Sequence, residues 1–512
     1  MDPFGIGDPS FHATPIFIRL THWFNVLFLT LLLRSGLAVL AAHPKLYGNI
    51  HAQPGTEWLR FTRKKMPADE MWCSTDEEVE WPGWLVLPGG SGLGLGRYWH
   101  FLNALAWMAC GAIYMALLFL SPQWRRLVPT SWEVFPDALR DLGMYLTFRT
   151  PPQGTPYGPS PFNPLQQLTY FGIVFLLAPL MMLTGLAQSP SIAGRWPRYE
   201  RLFRNRQTAR SLHFLGLIAF VVFLIGHLVM IFWHGFAREM NLMVMGTDEG
   251  LSLWWSGAAI GTGIVLAIVG VHVAANLVSA HFQRTTHEVL SSLVDPIRER
   301  VLHHLQSVQE YPESSVSPFF RLNGYPPIST YPQAKGNDES YEKLLKHGFA
   351  EYRLRVEGLV DHPTEFSIDE LRALPKQEQT TLHHCIQGWT SIGRWGGVRV
   401  REVLDRCGVQ PEARYIAFHS FGKHEPSGNP YYECISIDMA DHPQVILAYE
   451  LNGVTLPVQH GAPLRLRVET KLGFKMVKWV RSIEVVDDYR RLGEGQGGVR
   501  EDQQQFDMGA EI

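Results

Sequence analysis

The chain is poor in cysteine. Its 512 residues include only five cysteines, an odd number, and no two of them form a Cys-x-x-Cys pair. They are Cys73, Cys110, Cys385, Cys407 and Cys434. This pattern indicates neither a disulfide framework nor a zinc or iron–sulfur site, so any functional cysteine must act singly.

An excess of charge is also absent. The formal net charge is −3, which gives no reason to expect nucleic acid as a partner. A length of 512 residues predicts two or more domains. The mean hydropathy of −0.04 averages two different parts, because long apolar runs are confined to residues 1–283 and the remainder has the composition of a soluble domain.

The N-terminal region lacks the features of a cleaved secretory signal. Its first apolar run continues from Ile16 to Ala42 without a small-residue cleavage site, which predicts a retained membrane span. Four further runs approach the ~20 residues that cross a bilayer. They cover residues 98–120, 168–186, 212–233 and 253–278. We therefore predict an all-α bundle of five transmembrane helices in a lipid bilayer.

Two histidines stand 14 residues apart in the fourth apolar run, at His213 and His227. In a helix, that spacing is just under four turns and about 21 Å of rise, so both rings lie on nearly the same face at two depths. Lipid offers no water to satisfy imidazole nitrogens, which makes membrane-buried histidines functional candidates. The alternative interpretation is a pair of interfacial or helix–helix hydrogen-bonding residues.

Two more histidines lie where partners are needed, with His22 near the start of the first run and His100 near the start of the second. Because successive helices alternate in direction, His100 should share a depth with His213, and His22 with His227. Each pair would supply the two axial nitrogens of a b-type haem, since no Cys-x-x-Cys-His is present for covalent attachment. An intramembrane histidine array for metal transport is the competing hypothesis.

Two other polar residues stand within apolar runs. His272 in the fifth run is expected to have a hydrogen-bonded packing role. Arg34 in the first run needs a counter-charge, which either a haem propionate or protein groups would supply.

The histidine segments carry a resemblance. Residues 19–25 (RLTHWFN), 206–213 (RQTARSLH) and 226–230 (GHLVM) resemble the bacterial cytochrome b561 family and its relatives, the cytochrome subunits of formate dehydrogenase and nickel hydrogenase. The resemblance covers roughly residues 12–246 and matches all four histidine positions. It implies a dihaem domain that passes electrons between a periplasmic enzyme and membrane quinone.

The remainder of the chain predicts a tether followed by a mixed α/β, strand-rich domain. Residues 284–347 are polar and proline-rich, with a helical segment around Glu288–Gln309, and form a linker whose part 317–347 contributes to the next domain. That domain covers residues 348–490, and residues 491–512 form a tail. Alternating runs predict strands at residues 352–358, 414–419, 432–437, 464–469 and 480–486, with helices at 367–373 and 400–407.

One cysteine of this region stands beside two imidazoles, in the sequence LHHCIQGWTSIGRWGGV at residues 382–398. From spacing alone, Cys385 fits either a buried structural residue or a soft thiolate ligand for a transition metal. Residues 317–486 resemble the molybdopterin domain of the sulfite oxidase superfamily, of the methionine sulfoxide reductase catalytic type. The resemblance implies that Cys385 binds molybdenum, with Trp389 matching the motif and Gln387 replacing its usual acidic residue.

The same resemblance implies a set of molybdopterin contacts. Arginine, lysine and backbone donors suit a pterin phosphate, and amide-like groups suit the ring. The implied contacts are Asn323, Ser420, His460, Arg465, Gly473, Phe474 and Lys475, with Lys478 and Arg394 as weaker candidates. His460 stands where the related reductase has asparagine.

The side of the membrane that holds the molybdopterin domain is indicated by conflicting signals. The resemblance predicts a periplasmic domain on a bacterial inner-membrane protein. However, six arginines between the third and fourth runs favour a cytoplasmic location for that loop, and no twin-arginine signal precedes the fifth run. They are Arg195, Arg198, Arg201, Arg204, Arg206 and Arg210. Because residues 206–213 belong to the family motif and could serve haem propionates, we favour the periplasm, with the cytoplasm left open.

The combined prediction is a membrane-bound molybdenum-dependent oxidoreductase. It would exchange electrons between a small, sulfur-containing substrate and membrane quinone or quinol through two haems b, with Cys385 as the catalytic metal ligand. The direction of electron flow stays open, and an oligomer is compatible with the sequence. The alternative is a haem b electron-transfer protein whose second domain is a non-catalytic docking module.

Overall fold

The computed structural model describes residues 13–65, 71–72, 74–89, 92–189, 192, 196–247, 255–302, 308–328, 338–424, 428–506 and 508. Cys73, Arg195, the start of the fifth apolar run and the end of the chain lie outside these ranges. The chain divides into two compact units. The membrane unit contains residues 1–36, 99–186 and 212–281, and the strand-rich unit contains residues 37–98, 187–211 and 282–512.

Five helices are long and apolar enough to cross a membrane. The first to fifth spans are Ile16–Ala42, Leu93–Leu120, Pro164–Leu186, Arg206–His234 and Ser256–His281. The predicted five-helix bundle is confirmed. The third span contains a π-helical stretch at Gly172–Leu177, and two shorter helices, Val134–Leu146 and Phe236–Val244, complete the membrane unit among the described residues.

Polar groups connect the first and fifth spans. Arg34 Nη1 lies 2.8 Å from His272 Nδ1, and its Nη2 donates to Asn276 Oδ1 at 2.6 Å. The other nitrogen of His272 lies 2.9 Å from Thr30 Oγ1. The hydrogen-bonded packing role predicted for His272 is thus confirmed, and protein groups are the partners of Arg34.

The strand-rich unit is built on two five-stranded sheets. One has the order β10-β9-β6-β5 with β11 also paired to β9, and the other has the order β4-β3-β12-β7-β8. The strands are β1 Lys45–Leu46, β2 Leu59–Arg60, β3 Leu354–Gly358, β4 Thr364–Phe366, β5 Lys376–His384, β6 Thr390–Arg399, β7 Tyr415–Lys423, β8 Pro430–Ser436, β9 Val445–Leu451, β10 Val454–Thr455, β11 Arg465–Val468 and β12 Val480–Val486. A separate ribbon pairs β1 with β2.

The strand-rich unit also contains further helices, of which Gln283–Leu302 is the longest among those that do not form spans. They are Ser74–Glu77, Pro197–Leu202, Gln283–Leu302, Glu339–Lys346, Ile368–Arg372, Val400–Cys407 and Val499–Gln504. Ile368–Arg372 begins with a capping box, in which Ser367 accepts from the Glu370 backbone and the Glu370 side chain accepts from the Ser367 backbone. The mixed, strand-rich fold is confirmed, and each predicted strand and helix of residues 348–490 is observed within a few residues of its predicted bounds.

The long hairpin of β5 and β6 was not predicted. β5 has the sequence KQEQTTLHH, which shows no apolar alternation, and β6 contains three glycines. Both strands are largely buried, so neighbouring strands rather than a solvent-facing alternation hold them in place. This hairpin matters because its connecting loop contains Cys385.

The two units do not follow the linear boundary at residue 283. Tyr47 and Ala52, between the first two spans, pack in one buried cluster with Cys385 and Trp389. Phe320 of the expected linker is also buried, against Trp395. Loops between spans therefore form part of the strand-rich unit's core.

Candidate functional sites

The membrane unit brings its four predicted histidines together in two pairs. The ring centres of His100 and His213 are 6.4 Å apart, and those of His22 and His227 are 6.3 Å apart. An imidazole nitrogen lies about 2.0–2.1 Å from a bound metal. The separation of the ring centres leaves room for one ion between the two rings of each pair.

Hydroxyl groups orient both rings of the first pair. Ser35 Oγ lies 3.2 Å from His100 Nδ1, and Thr184 Oγ1 lies 3.0 Å from His213 Nδ1. Each hydroxyl gives its own hydrogen to a carbonyl one turn earlier, on Leu31 and Leu180. With its hydrogen on that carbonyl, each hydroxyl accepts from the histidine, an arrangement that puts the proton on Nδ1 and leaves the Nε2 lone pair for a metal.

A glycine follows each of these hydroxyl residues and lies against the same ring. A Cβ atom at Gly36 would stand 3.4 Å from His100 Cε1, and one at Gly185 would stand 3.4 Å from His213 Cε1. A Cβ at either position would be in van der Waals contact with the ring, so a branched side chain there would crowd the ring. The Ser-Gly and Thr-Gly dipeptides, each followed by leucine, are a repeated signal in the sequence that the search for histidines missed.

The second pair has different neighbours. The His227 ring stacks on Phe223 with centres 5.5 Å apart and planes 20° apart. His22 meets the edge of Trp23 at 5.5 Å. Within the described part of the chain, the buried His22 Nδ1 has no hydrogen-bond partner. Aromatic packing therefore replaces the hydroxyl contacts of the first pair.

In the strand-rich unit, Cys385 begins the tight loop that joins β5 to β6. The Gly388 N–H donates to the Cys385 carbonyl at 2.9 Å, and the Cys385 N–H donates to the Trp389 carbonyl at 3.0 Å. Gly388 has φ of +108°, a conformation that favours glycine. Burial raises the pKa of the Cys385 thiol to about 11. A thiolate at this position therefore needs a cation beside it.

Residues at the start of the fourth span hold this loop. The buried Gln207 side chain donates to the Gly388 carbonyl at 2.8 Å and to Thr390 Oγ1 at 3.0 Å. Arg206 Nη1 donates to the same Gly388 carbonyl at 3.3 Å. The Arg210 guanidinium donates to the carbonyls of Lys45 and His43. The sequence suggested that Arg206 and Arg210 serve haem propionates. In the structure, both guanidinium groups donate hydrogen bonds to backbone carbonyls.

Cys385 lines a partly open cavity of about 80 Å³ within the strand-rich unit. Five of the predicted cofactor contacts also line it: Asn323, Ser420, Arg465, Gly473 and Phe474. Lys478, a weaker candidate in the sequence, lines it as well, and its Nζ donates to the Asn323 carbonyl at 2.6 Å. Position 473 requires glycine, because a Cβ atom at Gly473 would stand 2.3 Å from the His383 ring.

Two predicted contacts lie elsewhere. The fully buried Lys475 Nζ is 3.0 Å from Glu433 Oε2 and also pairs with Glu501. Lys475 therefore anchors a buried ion-pair cluster, and Lys478 is the lysine of the cavity. The His460 ring packs edge-on against Phe320 with centres 5.5 Å apart. Its carbonyl accepts from Arg465 Nη1 at 3.3 Å, which positions that arginine.

The cavity fits a polar, anionic cofactor. Among the described residues that line it, three are cationic and none carries a carboxylate. Arg465, which lines it, has a buried Nε with no hydrogen-bond partner in the part of the chain that is described. An unsatisfied buried donor is costly, so its presence indicates a bound group that pairs with it.

Sequence reasoning missed Arg500 and Tyr431. Both line the cavity. Arg500 lies in the segment that the sequence analysis assigned to a tail, and Tyr431 lies in a strand with no motif of its own. In the sequence, Arg500 is marked only by its place directly after Gly497, Gly498 and Val499 in a polar segment.

Comparison with known families matches both parts of the chain. Residues 13–248 match the family described as prokaryotic cytochrome b561. Residues 343–492 match the family described as oxidoreductase molybdopterin binding domain. These matches imply haem b and a molybdenum cofactor, respectively.

Individual relatives cover one part or the other. A protein of Azospira oryzae named as protein-methionine-sulfoxide reductase subunit YedZ1 is 36% identical over 193 residues, which are 38% of this chain and 64% of that protein. The protein-methionine-sulfoxide reductase catalytic subunit MsrP of Ralstonia nicotianae is 33% identical over 180 residues, which are 33% of this chain and 54% of that subunit. The chain thus spans about half to two thirds of the length of these curated relatives.

Among solved structures, the sulfane dehydrogenase SoxCD from Paracoccus pantotrophus matches 30% of this chain and 40% of its own, with 26% identity and a TM-score of 0.25. The two family matches fall on the segments that carry the histidine pairs and the Cys385 cavity. The chain thus has five helices long and apolar enough to cross a membrane, a region similar to the prokaryotic cytochrome b561 family and, after it, a region similar to the oxidoreductase molybdopterin binding domain family.

Proposed function

We propose that this chain is a membrane-bound molybdenum oxidoreductase that exchanges electrons between a small, sulfur-containing substrate and membrane quinone. One observation carries the proposal. The same polypeptide holds two histidine pairs, each spaced for one metal, and a buried cysteine in a cavity with cationic side chains. On this proposal, one chain contains both a substrate-oxidising or substrate-reducing centre and an electron path to the membrane.

The histidine pairs are proposed to hold two haems b. His100 and His213 would be the axial ligands of one, and His22 and His227 those of the other. Ser35 and Thr184 would fix the tautomer of the first pair, as partners behind metal-bound histidines commonly do. Haems carry electrons singly, which suits transfer to quinone in two successive steps.

Cys385 is proposed to bind molybdenum, which when bound exchanges an oxygen atom with the substrate and two electrons with the protein. Arg465 and Lys478 would bind the pterin phosphate, while Asn323, Ser420 and the Gly473–Phe474 turn would contact the rest of the cofactor. Gln207 and Arg206 would keep the Cys385 loop in place through the Gly388 carbonyl. The names of the relatives support a sulfur-containing substrate.

A bacterial inner-membrane location with the molybdopterin domain in the periplasm is part of the proposal. The loop with many arginines between the third and fourth spans belongs to the strand-rich unit. Arg206 and Arg210 form hydrogen bonds with buried backbone there. Two of the six arginines thus have structural partners in the strand-rich unit, so their number is weaker evidence for a cytoplasmic loop.

The proposal is tested with the purified full-length protein. Metal analysis should find molybdenum, and a reduced-minus-oxidised spectrum should show b-type haem bands. Cys385→Ser should keep the haem bands but lose substrate-dependent haem reduction or reoxidation. Cys407→Ser is the matched control, because Cys407 is also fully buried but lies in the apolar core outside the cavity.

Two results would overturn the proposal. Protein without molybdenum would favour an electron carrier with a non-catalytic docking domain. Absence of b-haem bands would instead favour the histidine array for metal transport.

A further inference from the structure

The helix Val134–Leu146 belongs to the connection between two spans and is too short to be a span itself. It lies between Leu120, which ends the second span, and Pro164, which begins the third. Its 13 residues extend about 20 Å along the helix axis, whereas the apolar layer of a bilayer is about 30 Å thick. A helix of this length lies beside the spans or along the membrane surface.

A row of large apolar side chains on this helix is exposed. The row consists of Phe135, Leu139, Leu142 and Leu146, with exposed fractions of 48, 70, 41 and 73%. At about 100° per residue, these four positions fall within about 60° of one another around the helix axis. They form one continuous surface, the apolar stripe, and not a set of scattered residues.

The rest of the helix surface divides into a protein side and a polar side. Val134, Ala138 and Asp141 are buried, about 100° around the helix from the apolar stripe. The Asp141 carboxylate accepts from the Leu165 N–H of the third span at 3.3 Å. Arg140, whose side chain is 71% exposed, lies about 130° from the stripe in the other direction. A helix in the plane of a membrane surface has these three sides, with spans beside it, acyl chains below and water above.

Contacts near the end of the helix place it level with the end of a span. Phe148 stacks on Trp233, with ring centres 5.9 Å apart and planes 26° apart. The Tyr145 hydroxyl lies 3.0 Å from His234 Nε2. Trp233 and His234 are the last two residues of the fourth span. Aromatic side chains with a polar group favour the boundary between membrane and water, which is the depth these contacts indicate.

The apolar stripe continues into the apolar surface of the spans. Phe148, which is exposed, joins it to Trp233, and the neighbouring Phe232 of the fourth span is exposed as well. Phe119 and Leu120 at the end of the second span are also exposed. A bilayer surrounds span surfaces of this kind, so the same lipid would cover the stripe.

The other short helix of the membrane unit is arranged differently. Phe236–Val244 follows the fourth span, and each of its residues is buried or half-buried. A Cβ atom at Gly261 of the fifth span would stand 2.6 Å from Met240 Sδ, so the two helices pack closely. The exposed apolar stripe is therefore a property of Val134–Leu146 and not of every short helix beside the spans.

We propose that Val134–Leu146 is an interfacial helix that binds the surface of a phospholipid bilayer. Its apolar stripe lies among the acyl chains, and Arg140 lies in the water above them. This inference goes beyond the proposed oxidoreductase function, because it requires neither molybdenum nor haem chemistry. It assigns a lipid partner to a segment outside the five spans.

The test measures the surroundings of single spin labels on the full-length protein in vesicles of phosphatidylcholine and phosphatidylglycerol. One label is attached to Leu139→Cys on the apolar stripe. The other is attached to Arg140→Cys, the matched control, which is the next residue and is about equally exposed. Oxygen, which partitions into lipid, and a water-soluble nickel chelate serve as collision probes. The ratio of oxygen to chelate collisions should be several-fold higher at Leu139→Cys than at Arg140→Cys.

The native cysteines need a blank in the same experiment. Cys110 is the partly exposed one among the described cysteines, so both variants also carry Cys110→Ser. The Cys110→Ser protein treated with the label gives the blank, and an unchanged haem spectrum shows that each variant folds. Leu146→Cys and Glu133→Cys repeat the comparison at the two ends of the helix.

Two results would overturn the inference. Chelate collisions as frequent at Leu139→Cys as at Arg140→Cys would place the apolar stripe in water. Rare collisions with both probes at Leu139→Cys would mean that protein covers the stripe, and spectral broadening by a second label would identify that protein as another copy of this chain. Neither result would affect the molybdenum and Cys385 tests of the proposed function.

Discussion

The two histidine pairs of the membrane unit have the same spacing and different surroundings. Their ring centres are 6.4 and 6.3 Å apart, so both fit one metal. Hydroxyl acceptors fix the first pair, His100 and His213, whereas stacking on Phe223 holds His227 of the second. A hydrogen bond at Nδ1 makes an imidazole a stronger donor and favours oxidised iron. We therefore expect the first haem to have the lower reduction potential.

The largest expected effect comes from removing a ligand. His213→Ala should remove the haem of the first pair, and His227→Ala that of the second, so haem per protein falls from about two to about one in either variant. Haem content and molybdenum content are measured together on the purified protein. His281→Ala is the control, because its Nδ1 bonds only to the Leu277 carbonyl of its own helix among the described groups. A variant at either ligand that keeps both haems would refute the pairing.

The next effect tests the space around the rings. Gly185→Val should lower haem occupancy at the first pair, because even a Cβ atom at Gly185 stands 3.4 Å from the His213 ring and Val adds two methyl groups. Gly226→Val is the matched control, since it adjoins His227 but a Cβ there would meet nothing within 4 Å. The haem content of both purified variants is the measurement. Equal losses in the two variants would show that helix packing, not ring clearance, is responsible.

The pairing of the four membrane histidines could be predicted from the sequence because helix geometry is regular. With about 3.6 residues per turn and alternating helix directions, four histidines could be paired before their contacts were known. The Ser35 and Thr184 acceptors were missed, since a hydroxyl in a span usually bonds its own helix and shows its second contact only in the packed bundle.

The Cys385 cavity was less predictable for a physical reason. Its lining comes from segments far apart in the chain, and which side chain reaches it depends on packing. Lys475 and Lys478 are three residues apart, yet one pairs with buried glutamates and the other lines the cavity. Arg500 lies beyond the matched region. Resemblance supplied the cysteine, and only the fold could assign these cations.

A smaller effect tests the expected difference in potential. Thr184→Val removes the hydroxyl 3.0 Å from His213 Nδ1 with little change in shape, and Ser35→Ala removes the one 3.2 Å from His100 Nδ1. The Met181 and Leu32 backbones, which also hydrogen-bond these rings, stay in place. Each substitution should raise the potential of the first haem by on the order of 20–60 mV, because one hydrogen bond contributes about 0.5–1.5 kcal/mol. A redox titration of the haem bands measures it. A shift in the second haem instead would reverse the assignment of the two surroundings.

The smallest expected effect lies at the second pair. Phe223→Leu removes the ring that stacks on His227 at 20°, so the imidazole plane should become free to turn while the nitrogen remains bound. The electron paramagnetic resonance of oxidised haem depends on the angle between the two ligand planes, which is 57° for His22 and His227. We expect that signal to broaden with haem content unchanged and the first haem's signal unaffected. Phe232→Leu, on the same span and stacked on Phe236 instead, is the control. An unchanged signal in Phe223→Leu would mean that the iron, not the phenyl ring, fixes the plane of His227. The two pairs would then differ only in the hydroxyl groups beside His100 and His213.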